Sequence, residues 1–77
     1  MRKVRFKYKR NHGAWGLAFP EQWRIEIDPE LDDLTLLEIA AHEVTHVVLP
    51  VLDEEAVDAL GKQIASVLHR MGFRRED

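Results

Sequence analysis

Residues 34–49 leave little choice of structure. Leu37, Ala40, Ala41, Val44, Val47 and Val48 recur at helical spacing, and Ile39 and Leu49 are apolar on a second side. A helix apolar on two sides is expected to be sandwiched between other elements. His42-Glu43-Val44-Thr45-His46 lies inside this run and reads H-E-x-x-H. Two histidines four residues apart share one helix face, a turn from each other. Both imidazoles can then reach a single Zn²⁺ at about 2.0–2.1 Å. Glu43 stands where a base for a zinc-activated water is needed. A surface helix with two unrelated histidines would show the same spacing, so the context has to decide. Here the flanking apolar residues turn the pair into a crevice, where unpartnered imidazoles would cost desolvation.

The rest of the chain sets limits on this element. Seventy-seven residues, 45% of them hydrophobic and six aromatic, suffice for one small domain with a thin core. Cysteine is absent, so neither disulfides nor thiolate ligands contribute, which fits a cytoplasmic protein. A structural metal is a natural staple for so small a scaffold. The basic first residues are not followed by the apolar stretch of a signal peptide. No apolar run approaches the ~20 residues of a membrane span, so no membrane partner is expected. Residues 1–10 hold six basic side chains and no acid, whereas the remainder holds the other five and all fourteen acids. That basic end could attract nucleic acid, but a solvated strand face that discourages edge-to-edge pairing is the simpler account.

Three stretches alternate with a period of two. Val4, Phe6 and Tyr8 oppose Lys3, Arg5, Lys7 and Lys9; Trp15, Leu17 and Phe19 oppose Ala14, Gly16 and Ala18; Trp23, Ile25 and Ile27 oppose Arg24, Glu26 and Asp28. Asn11-His12-Gly13 and Pro20-Glu21-Gln22 read as turns. Connections this short predict antiparallel neighbours, with the aromatic side chains in the core. Gly16 leaves its strand bare at one point, through a bulge or a close approach. After Pro29, Asp32, Asp33 or Thr35 could cap the first helix, and Thr35 with Glu38 fits a capping box. Pro50 stops that helix, and Asp53 is suited to cap a second over residues 54–71. Its inner face would hold Val57, Leu60, Ile64, Val67, Leu68 and Met71, with Gly72 as the terminal stop. The fold class expected is α+β, a three-stranded antiparallel sheet packed on a two-helix hairpin.

A zinc site on two histidines needs at least one more protein ligand. The short connection at Pro50 folds the helices into an antiparallel pair, bringing Asp53, Glu54, Glu55 and Asp58 near His46. Glu54 falls beside Val57, Gly61 and Ala65, at the edge of the inner face, where small residues let the first helix approach. Glu55 points away, and Asp53 is wanted as the cap. Acids in a first helical turn are common without a metal, so position alone leaves Glu54 open as a ligand. Asp58, one turn on, could support a ligand from behind. His69 is excluded, lying roughly 22 Å along the helix from Glu54. His12 and Tyr8 are further candidates, for polarising a substrate carbonyl.

With these residues placed, the chain resembles small phage-encoded, SprT-like metallopeptidases of the zincin-like H-E-x-x-H type. The resemblance covers most of the length. It rests on Trp15-Gly16, Ile25-Glu26-Ile27-Asp28-Pro29, His42-Glu43-Val44-Thr45-His46, Pro50, Asp53-Glu54-Glu55-Ala56-Val57 and Val67-Leu68-His69-Arg70-Met71-Gly72-Phe73. Larger SprT-like proteins typically take a third histidine downstream, where residues 47–52 offer none, so the likeness is to the minimal form. It implies a single zincin-like domain over residues 1–77, zinc on His42, His46 and Glu54, and Glu43 as general base. The function expected is a zinc-dependent metallopeptidase acting on a peptide or protein, in the host cytoplasm if phage-encoded. Two alternatives stand beside it: a non-catalytic module whose zinc only stabilises the fold, and a nucleic-acid-associated accessory protein using residues 2–10.

Overall fold

A computed structural model describes residues 1–10 and 13–76. Its elements are β1 (Arg5–Tyr8), β2 (Gly16–Phe19), β3 (Arg24–Ile27), α1 (Asp33–Val48) and α2 (Glu54–Arg70), with one 3-10 turn at Pro20–Gln22. This is an α+β fold, three strands and a helical hairpin, as expected. The predicted turn at Asn11 and His12 lies outside the described residues.

The sheet is mixed rather than antiparallel throughout. Its order is β1-β3-β2, with β2 antiparallel and β1 parallel to β3. The 3-10 turn makes β2 and β3 a hairpin, and Trp23 closes it at φ 50, in the left-handed region. β1 therefore takes the other edge of β3 instead of pairing with β2. The arrangement puts β3 in the centre, with Ile25 and Ile27 facing α1. Ile25 and Ile27 are buried there with Val47 of α1, and Leu36, Ile39, Ala40 and Val44 pack around them. A simple meander would have centred Gly16 and Ala18, which have far less apolar surface to bury. Glu26, on the opposite face of β3, is also buried, and its carboxylate is matched by the Arg24 guanidinium. Lys7 and Leu17 flank it in register.

Of the aromatic side chains, Trp23 packs against the core, whereas those of β1 and Trp15 do not enter it. Phe6 is 63% exposed and Trp15 59%, and Tyr8 is exposed as well. β2 turns its small side, Gly16 and Ala18, toward α1, because Ala18 pairs with Ile25 and Gly16 with Ile27. β1 is left uncovered because α1 lies across β2 and β3.

Asp32 caps α1, accepting a hydrogen bond from the Thr35 amide at 2.8 Å, so the Thr35–Glu38 capping box is not the device used. Asp53 caps α2 in the same way through the Ala56 amide. At the far end Gly72 takes φ +99, and Phe73 N–H reaches the Leu68 carbonyl, the double bonding of a Schellman stop. α1 is sandwiched between the sheet and α2. The expected inner face of α2 is corrected by its packing. Val57, Gly61 and Ala65 are buried, whereas Leu60, Ile64, Val67 and Met71 are exposed. The helices meet on their smallest side, which rotates the bulky line out of the contact. A Cβ on Gly61 would stand 3.2 Å from the Glu38 carbonyl oxygen and 3.3 Å from the His42 nitrogen.

Candidate metal centre

Two helices supply the centre, and the hairpin brings their ends together. His42 and His46 project from one face of α1, half-buried. Glu54 is the first residue of α2, directly after its cap. His42 Nε2 lies 2.8 Å from Glu54 Oε1, and His46 Nε2 3.0 Å from Glu54 Oε2. The two Nε2 atoms are 3.1 Å apart. Three donors thus face one point. A tetrahedral centre with bonds of about 2.0–2.1 Å holds its donors roughly 3.3–3.5 Å apart, so opening the cluster by a few tenths of an ångström would admit an ion. His42, His46 and Glu54 form the one group among the described residues able to hold a metal ion. Two imidazoles and a carboxylate suit zinc and other divalent transition metals.

Gly61 is what lets Glu54 reach the histidines. Its missing side chain brings α2 against the backbone of α1 at Glu38 and His42, two turns along from Glu54. Asp58 does not hydrogen-bond His42. It stands 4.0 Å from Nδ1, and its other oxygen accepts a hydrogen bond from the Lys62 ammonium at 2.8 Å.

Glu43 lies beside the triad, against β2. A Cβ on Gly16 would stand 3.0 Å from Glu43 Oε2 and 2.5 Å from Ile39 Cγ2. The bare spot on this strand is therefore a close approach and not a bulge. Burial pushes the Glu43 carboxyl above the usual carboxylate range, and His42 and His46 oppose that shift.

No family model, curated protein or solved structure matches this chain.

A cleft of about 800 Å³ opens beside the centre, between β2, α1 and α2. His42 and Glu43 form part of its wall, with Trp15, Gly16 and Asp58 nearby. Its far rim carries Arg10, ion-paired with Glu30. Sequence reasoning missed Trp15 and Arg10 as cleft residues. Trp15 follows the alternation of a core position, and nothing local marks it as lying at a strand end. Tyr8 is not at the cleft; its ring lies on β1, under the Arg75 guanidinium. His12 lies outside the described residues.

Gly16→Ala should cost about 1–3 kcal/mol of stability, because the added methyl overpacks the contact with Ile39 and Glu43. Urea denaturation measures this, and an unchanged midpoint would mean that β2 does not press on α1 there.

Proposed function

We propose that this chain is a zinc-dependent peptidase, a minimal SprT-like metallopeptidase. The observation that carries the reading is the His42–His46–Glu54 group standing beside a cleft whose wall His42 and Glu43 help to form. A purely structural site would more commonly be closed by four protein ligands. Zinc held by the three side chains would polarise a scissile carbonyl and make a water beside it more acidic. Glu43 takes the proton from that water and delivers it to the leaving amine. Partial burial suits it to the first step, since a carboxylate with a raised pKa takes up a proton more readily. β2 is an edge strand, with Trp15 and Gly16 on the cleft, so an extended peptide can align along it by strand addition. The resemblance to SprT-like proteins supports the same reading.

Glu43→Gln tests the mechanism. It removes the proton acceptor and leaves all three metal-binding side chains in place. The variant should keep its metal and its circular dichroism spectrum. It should lose about 10²–10⁴-fold in hydrolysis of an unstructured peptide that the parent protein cuts, followed by mass spectrometry. Full activity in the variant would refute the role given to Glu43.

A further inference from the structure

Beside its contact with α1, α2 leaves apolar surface uncovered. On α2, Leu60, Ile64, Val67 and Met71 are 39%, 38%, 45% and 66% exposed. At 100° per residue they fall within an arc of roughly 60°, next to the buried line of Val57, Gly61 and Ala65, with Asp58 beyond that line. Phe6 and Tyr8 extend the face. They lie in register with Ile25 and Ile27, on the sheet side that carries α1, yet stay exposed. Arg75, in the segment that follows α2, bonds the Pro29 carbonyl and lies 5.8 Å over the Tyr8 ring, tying that segment to β1.

We propose that this face is a dimer interface, with α2 pairing antiparallel against α2 of a second copy. Three observations select a second copy. The spacing of the four α2 positions is four, three, four, which is the a/d seam of a coiled coil. That spacing is also symmetric about a point between Ala65 and Ser66. A two-fold axis there sets Leu60 against Met71 of the partner subunit and Ile64 against Val67 of the partner subunit, as a self-complementary interface requires. The seam is also uncharged. From Ala56 to Leu68 the only charged residues of α2 are Asp58 and Lys62, which are paired with each other on the metal flank. Two copies of a chain of net charge −3 can therefore meet here without like charges across the seam. The six side chains expose on the order of 500 Å², most of the roughly 800 Å² per partner of a standard interface.

Sedimentation velocity on the full chain from about 1 to 100 µM tests this. The parent protein should sediment as a dimer, at twice its 9.0 kDa mass. Val67→Glu and Met71→Glu, both at exposed positions, should each weaken association at least a hundredfold with an unchanged circular dichroism spectrum. Leu17→Glu, on the opposite sheet face, should leave the dimer intact. A parent protein that stays monomeric at 100 µM overturns the proposal and assigns the face to a different partner. A dimer indifferent to both α2 variants overturns it too, because the seam would then lie elsewhere.

Discussion

Removing zinc from the protein should lower its melting temperature by roughly 10–20 °C. An ion bound only by the folded chain stabilises it by mass action, about 2.7 kcal/mol at a free concentration one hundred times the dissociation constant. In a domain of 60–100 residues each kcal/mol moves the melting point by about 4–8 °C. The geometry makes the dependence specific to the fold. The three donors come together only when the hairpin closes, because Glu54 is twelve residues from His42 and on another helix. Elemental analysis should find about one zinc per chain, and His46→Ala should abolish both the metal and the chelator-dependent shift. Identical melting curves with and without strong chelator, together with no metal in the purified protein, would remove the centre altogether.

Glu54→Gln should reduce zinc affinity at least about a hundredfold, whereas Glu55→Gln should change it little. Altering a residue that merely supports a ligand typically costs about 10–100-fold, and losing an anionic ligand should cost no less. Glu54 places one oxygen toward each histidine, at 2.8 and 3.0 Å. Glu55, one residue on, is exposed on the outer side of α2. Both substitutions remove one negative charge from the same first turn, so the field of the helix start changes alike. The difference between them reports coordination. Competitive zinc titrations of the two variants decide it. Equal losses would mean that only general electrostatics is felt, and a larger loss for Glu55→Gln would place the ligand one residue further along.

Local features of this chain were legible in advance because their causes are local. Helical phase puts His42 and His46 on one face whatever surrounds them. Pro50 ends α1, Asp53 caps α2 and Gly72 supplies the left-handed stop, each through the backbone geometry of a few residues. The same phase, with the hairpin, put Glu54 at the edge of the inner face but left its role as a ligand open.

Strand order was not legible. Alternation reports that a stretch has two faces but not which strand lies beside it or what covers each face. Central burial of Ile25 and Ile27 decided that β1 would pair with β3, and so left Phe6 and Tyr8 uncovered. The apolar lines of α2 posed the same difficulty. Sequence pattern favours the bulky line of Leu60, Ile64, Val67 and Met71 as the inner one. Gly61 and Ala65 instead set the closest helix–helix approach, and packing followed it. By itself, then, the sequence determined the two helices, the stop of α1, the cap and stop of α2 and the spacing of His42 and His46, since turn geometry and helical rise act within a few residues; the cap of α1 stayed open among Asp32, Asp33 and Thr35. Tertiary structure alone decided which strand is central, that Gly16 admits Glu43 against β2, and which apolar surface stays exposed. Those outcomes depend on contacts between residues far apart in the chain, and no short stretch encodes them.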